Sequence, residues 1–176
     1  MKTGKKLYLM RHAKAGDKSP EGRDFDRPLN ALGVRAAGLM GMHLKECVNP
    51  PKVFLCSPAL RTRQTLEIVQ AKSGWQAPIN HAPDLYAATS DALLAQLAQL
   101  DESISIAMII GHNPAIHDLA QLFAGRGRTT LIERLEKRYP TAGFAEIELH
   151  EGPWAELRTQ AGHGRLVRFD LPRHLP

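Results

Sequence analysis

Three short apolar runs punctuate the first two-thirds of the chain: Leu7–Met10, Val53–Cys56 and Ile104–Ile110. Each is too short for a helix and rich in β-forming residues, so each predicts a buried strand. Between them apolar positions recur at helical spacing. Ala36, Ala37, Met40, Leu44 and Val48 follow Asn30, a good N-cap residue, and the pattern stops at Asn49-Pro50-Pro51. Ser57-Pro58 sets a capping hydroxyl ahead of a proline and predicts a second helix to about Ala71, ended by Gly74. A third spans Asp91–Leu100, with Leu93, Leu94, Leu97 and Leu100 on one face. A fourth opens with the same signal at Asn113-Pro114 and carries Ile116, Leu119, Ala120 and Phe123. Phe144–Leu149 alternates and Arg165–Leu171 follows a Gly-rich stretch, predicting two further strands as antiparallel neighbours at an edge.

Strands alternating with helices predict an α/β fold: a three-layer sandwich with a mostly parallel central sheet, helices on both faces and an antiparallel edge strand. At 176 residues and 43% hydrophobic composition the chain suits one domain, residues 1–176. Cys47 and Cys56 lie in or beside apolar segments without a Cys-x-x-Cys or Cys/His cluster, so buried, reduced thiols in a cytoplasmic protein are expected. Met1–Lys6 leaves no room for a signal peptide, and the apolar run Ile106–Ile110 falls far short of the roughly 20 residues of a spanning helix. No membrane partner is expected.

A net charge of +5 favours an anionic partner without choosing one. Arg126, Arg128, Arg134, Lys137 and Arg138 are interrupted by acids and lack interleaved aromatics, so they read as a solvated basic face, and Gly125–Arg128 as a surface turn. Nucleic acid is not an expected partner. His43, His81, His117, His150, His163 and His174 show no paired spacing, so neither a metal nor another cofactor is expected. Trp75 and Trp154 read as packing residues, and Arg63, two positions beyond Arg61, as solvated surface.

The chemistry falls at the strand ends. Arg11-His12 closes the first strand, Ser57-Pro58 with Arg61 just beyond closes the second, and Gly111-His112 closes the third. Ligands of open α/β sheets bind outside the carboxyl ends of the strands, so two arginines and two histidines converge there. An arginine presents a fork of donors matched to phosphate oxygens. A neutral imidazole can attack phosphorus, while a second, protonated one holds a non-bridging oxygen. The residues expected in catalysis are therefore His12 as nucleophile, with Arg11, Arg61 and His112 binding the phosphoryl group. Arg27, in the loop after the nucleophile, is a candidate phosphate contact or an ion-pair partner of Asp24. Asp24 is a candidate proton donor because its loop follows His12 directly.

At these positions the chain resembles the histidine phosphatase superfamily. Leu9-Met10-Arg11-His12-Ala13, Ser57 through Thr65 and Gly111-His112-Asn113-Pro114 look like its three signature segments. Asp24-Phe25-Asp26-Arg27-Pro28-Leu29-Asn30 with Gly33 looks like its small SixA-type phosphohistidine phosphatase branch, and Arg138-Tyr139-Pro140-Thr141-Ala142 is similar too. The resemblance implies the phosphoglycerate mutase-like fold, a phosphohistidine intermediate on His12, and no cofactor. Two departures stand out: Ala13 replaces a usual glycine, and Tyr86-Ala87-Ala88 stand where larger members carry an acidic proton donor. The expected partner is a phosphorylated protein bearing phosphohistidine. A phosphatase of small phosphorylated substrates and a non-catalytic phosphate- or phosphopeptide-binding module remain as alternatives.

Overall fold

The apolar runs do become strands, and seven strands join in one sheet. The structure is a computed structural model describing residues 4–175; Met1–Thr3, from the N-terminal stretch read above, and Pro176 lie outside the described residues. In chain order the elements are β1 (Lys6–Arg11), α1 (Ala31–Cys47), β2 (Val53–Cys56), α2 (Leu60–Ser73), β3 (Ile79–Asn80), α3 (Ser90–Leu97), β4 (Ile106–Gly111), α4 (Ala115–Phe123), β5 (Ala124–Gly127), α5 (Thr129–Lys137), β6 (Phe144–Glu148) and β7 (Gly164–Asp170). Across the sheet they run β3-β2-β4-β1-β6-β7-β5. β1, β2, β3 and β4 pair in parallel, β6 is antiparallel to both β1 and β7, and β5 pairs in parallel with β7.

The antiparallel strand β6 therefore lies inside the sheet, one neighbour of the central β1. The edge beyond β7 is taken by β5, whose sequence Ala-Gly-Arg-Gly carries no strand pattern. The Gly125–Arg128 stretch is thus mostly strand, which corrects the surface-turn reading. Gly125 allows this close approach: a Cβ there would overlap the Gly162 carbonyl. The basic run after it forms α5, which buries only Leu131 and Leu135. With so few apolar positions the helix was hidden within its own charge.

Alternation along β1 splits the core into two layers. Tyr8 and Met10 pack with Ala37, Met40, Leu44, Leu66 and Val69 of α1 and α2. Leu7 and Leu9 pack with Leu97, Ile116, Leu119, Phe123 and Leu135 of α3, α4 and α5, and with Trp154. Each such apolar side chain contributes about 1.5–3 kcal/mol by leaving water, and all of β4 is buried. This is the three-layer α/β sandwich that the alternation predicts.

Helix starts refine the sequence reading. Asn30 caps α1 as expected, its side chain accepting from the Gly33 amide at 2.9 Å. A Cβ at Gly33 would sit 2.1 Å from the Lys14 carbonyl, so glycine lets α1 press against the chain that leaves the first strand. Ser57 and Asn113, by contrast, do not cap. α2 starts at Leu60 after Ala59, and α4 at Ala115 after Pro114, neither with a side-chain cap. Both polar side chains reach instead across to other segments of the crevice.

Candidate active site

The parallel ladder continues one residue beyond the strands. The His12 amide donates to the Gly111 carbonyl at 3.0 Å, and the Ser57 amide to the Ile110 carbonyl at 3.0 Å. This register sets Ser57, His12 and His112 side by side at the carboxyl edge. The two imidazole rings lie 5.1 Å apart between centroids, tilted by 55°. Arg11 ends β1, and Arg61 enters from the first turn of α2.

His12 Nδ1 lies 2.7 Å from the Ala13 carbonyl oxygen. A carbonyl can only accept, so Nδ1 carries the hydrogen and the lone pair of the neutral ring resides on Nε2. Burial holds the His12 pKa down to about 4, against the Ala13 hydrogen bond and with help from Arg61, Arg11 and Arg27. The ring is neutral at physiological pH. Ala13 is itself fixed, its amide donating to Thr65 Oγ1 at 3.0 Å, and Thr65 donating to the Arg61 carbonyl at 2.7 Å.

His112 is gripped from both sides. Its Nδ1 lies 3.3 Å from Arg61 Nη2 and its Nε2 lies 2.8 Å from Ser57 Oγ. A guanidinium only donates, so Nδ1 accepts and Nε2–H points to the serine. Burial, the neighbouring His12 and Arg61 lower its pKa to about 3. This differs from the protonated His112 expected from sequence. With no anion in the pocket the surrounding cations favour the neutral ring.

Arg11 reaches backwards. Its Nη1 donates to the Tyr139 carbonyl at 2.9 Å, and Asn113 Nδ2 donates to the same oxygen at 3.0 Å. Arg11 Nε is buried without a partner, and burial lowers the guanidinium pKa. The segment around Tyr139 also holds the backbone at His12: the Ala142 amide donates to the Arg11 and His12 carbonyls, both at 3.1 Å.

The rim is built by the loop around Asp24. Arg61 donates to the Asp24 carbonyl at 2.7 Å and to Asp24 Oδ2 at 3.0 Å, Arg27 donates to Oδ1 at 2.8 Å, and the Tyr86 hydroxyl donates to Oδ2 at 3.0 Å. The Arg27 hydrogen bond, with Tyr86 and Arg61 and against partial desolvation, pulls the Asp24 pKa to about 2. The carboxyl is therefore ionised at neutral pH in this arrangement. Arg27 is anchored by Asp24 and by the Gly16 carbonyl at 2.9 Å. The ion pair is the placement observed for it. The Tyr86 ring meets His112 edge-on at 5.8 Å and Phe25 at 5.0 Å.

Comparison with known proteins follows the same residues. The model of the histidine phosphatase superfamily (branch 1) matches residues 7–87. An uncharacterized protein of Mycobacterium tuberculosis is 35% identical over 167 residues, spanning 93% of this chain and 100% of that one. A structure from Nakamurella multipartitia, described as a candidate phosphohistidine phosphatase SixA, shares 34% identity over 96% of both chains with a TM-score of 0.79. The chain belongs to the histidine phosphatase superfamily, in its SixA-like branch. The protein histidine phosphatase SixA in complex with tungstate is also similar, at 25% identity, 96% and 97% coverage and a TM-score of 0.73.

In this SixA-like chain the structure brings together all four residues read from the strand ends, and both Asp24 and Arg27 lie at their margin. Sequence reasoning missed the groups that aim them: Ser57, Thr65, Asn113 and the Tyr139 carbonyl. Their signal was present, since each falls in a signature segment, but a polar residue ahead of a helix reads first as a cap. Arg63 is exposed and Trp75 and Trp154 are buried, as expected.

Away from the pocket, His43, Cys47 and Asp170 have donor atoms within 4.8 Å of one another. His43 and Cys47 do have helical i, i+4 spacing, which the survey of His spacings overlooked. Asp170 Oδ2 is already shared by His43 at 2.9 Å and Arg168 at 3.3 Å, so a guanidinium occupies the cation's side of this cluster. Cys47 is partly exposed and Cys56 buried, and both thiols are free. Among the described residues no helix is long and apolar enough to cross a membrane.

Proposed function

We propose that this chain is a metal-independent phosphatase working through a phosphohistidine intermediate on His12, with a phosphohistidine of another protein as preferred substrate. The observation that carries the reading is the tautomer of His12: the Ala13 carbonyl holds Nδ1–H and leaves Nε2 as a free lone pair beside two arginines. In the first step Nε2 attacks phosphorus in line and the P–N bond to the departing imidazole breaks. The other nitrogen of that ring already carries a proton, so the ring keeps the electron pair and leaves as neutral imidazole. In the second step water attacks, gives up a proton to solvent, and the P–Nε2 bond returns its pair to His12 as inorganic phosphate leaves.

Arg11 and Arg61 supply fixed positive charge to the phosphoryl oxygens, the part a divalent ion plays elsewhere. His112 is neutral in the free pocket. A dianion reverses the local field, so phosphoryl binding draws a proton onto His112 and makes its Nδ1 a donor. The leaving group decides the substrate. An alkoxide has a conjugate acid of pKa near about 15.7 and needs a proton from the enzyme, whereas imidazole leaves with a pKa of roughly 6.5. Asp24 is ionised, and burial beside it raises the Tyr86 phenol further, so the rim offers no strong acid. The SixA descriptions of similar structures support the same substrate.

The test is to turn over a phosphohistidine peptide and quench in base. Acid-labile, base-stable label is expected on the peptide containing His12 and absent in His12→Ala, with turnover insensitive to EDTA and blocked by vanadate or tungstate. Label on Ser57, or activity restored only by a divalent metal, overturns the reading.

A further inference from the structure

We infer that Asp24 is a specificity-determining residue that sorts substrates by the charge of their leaving group, favouring cationic or N–H-bearing groups and disfavouring anionic ones. The inference rests on the phosphatase reading above and adds what that reading leaves open, namely how one phosphoryl compound is told from another.

Three observations carry it. First, Asp24 binds the same guanidinium that touches His112, so its carboxylate stands at the phosphoryl site and not on a remote surface. Second, it is not used up. A carboxylate offers about four acceptor positions; Arg61, Arg27 and Tyr86 fill three, and the side chain is 52% exposed. One acceptor position is left over, on Oδ1, in a side chain that reaches solvent at the rim of the pocket. Third, the rings of Phe25 and Tyr86, set edge-to-face beside it, give that position an apolar flank. A flat ring with N–H donors, or a cation, gains both a hydrogen bond and an aromatic contact there. An anion meets a fixed negative charge.

Arg27 is the counterweight. It touches Asp24 with Nη1 and Gly16 with Nε, and its charge attracts what Asp24 repels. The two residues therefore predict opposite changes when removed, which a general disturbance of the rim does not.

The experiment uses three phenyl phosphates with para-aminomethyl, para-carbamoylmethyl and para-carboxymethyl groups, in which a methylene keeps the phenol acidities similar while the charge runs from positive to negative. In the wild type kcat/KM is expected to fall in that order, by about tenfold from first to last at low salt, and to converge as salt rises. Asp24→Asn, which keeps an oxygen for Arg61, should shrink the spread to about twofold, and Arg27→Gln should widen it. Because the readout is a ratio, any common loss from a shifted Arg61 cancels. A wild type indifferent to charge, or a spread unchanged in Asp24→Asn, overturns the inference. His12 labelling by the neutral substrate is scored alongside: label without a charge preference removes only the role of Asp24, whereas no label removes the phosphatase reading itself.

Discussion

The two halves of the sheet use charge in opposite ways. In the parallel half, β3-β2-β4-β1, the core strands are apolar through their middles, and the charged and titratable groups of the pocket gather at their carboxyl ends. In the half formed by β6, β7 and β5, charge lies on the strands themselves and is matched across them, Glu146 with Lys6 at 2.7 Å and Arg168 at 3.4 Å and Arg165 with Glu148 at 2.6 Å, and along β7, Arg168 with Asp170 at 3.3 Å. Ion pairs of that kind fix neighbouring strands. At the parallel end the two histidines are held neutral by burial and nearby cations, and Arg11 is turned to a backbone carbonyl. One half spends its charged groups on cohesion, and the other keeps them for an arriving anion.

Substitutions should separate the halves. The largest effect is expected from His12→Ala, which should lower kcat/KM by about four powers of ten or more while cooperative unfolding persists. Arg61→Ala should cost about two to three powers of ten in kcat, measured at saturating substrate. In the other half, Glu146→Ala removes the buried carboxylate of these pairs and leaves Lys6 with Glu148 alone and Arg168 with Asp170 alone. Because both partners are about a quarter exposed, the loss should be nearer 2 kcal/mol than the larger cost of breaking a fully buried pair. Urea denaturation should show it, with kcat/KM changed less than twofold. An inactive Glu146→Ala protein of normal stability would dissolve the contrast. Ser57→Ala frees His112 Nε2–H and should lower kcat by about tenfold through ring misorientation, with stability changed by about 1 kcal/mol.

The smallest effect is that of pH. His12 and His112 have folded pKa values of about 4 and about 3, below the ordinary 6.5, so the unfolded chain binds more protons across that interval. Their contribution to stability is full above pH 6.5 and is lost as pH falls through the two folded values. Saturating phosphate should flatten that decline, because it raises the His112 pKa in the folded state. Calorimetry in buffers of different ionisation enthalpy should show proton uptake at pH 6 on binding sulfate, a dianion with no proton of its own to release, and none in His112→Ala.

The parallel half was the legible half. Leu7–Met10 and Val53–Cys56 are buried on both faces, so hydrophobicity alone marks them, and Arg11, His12, Arg61 and His112 follow from where those runs stop. β3 and β5 were hidden because two exposed residues and a glycine-rich edge carry almost no pattern, whereas α5 does place Leu131, Ile132 and Leu135 on one face and was passed over because its charged residues read as a basic surface. β6 lies inside because it inserts between β1 and β7, a sheet order that no local signal announces. The neutrality of His112 was illegible for another reason: it arises from burial and from His12 and Arg61, which lie far along the chain, whereas the Arg27 partner that chiefly ionises Asp24 is only three residues away.

The Tyr139 carbonyl has a consequence in time. Its two lone pairs are taken by Arg11 and Asn113, and the strand that follows, β6, completes the pairing of β1. The ribosome has already released every group of the catalytic quartet once residue 112 is out, yet the oxygen that clasps the first and third signature segments comes 27 residues after that. A nascent chain thus carries all four side chains of the pocket before the residue that joins them, and the pocket can assemble only after Tyr139 has emerged.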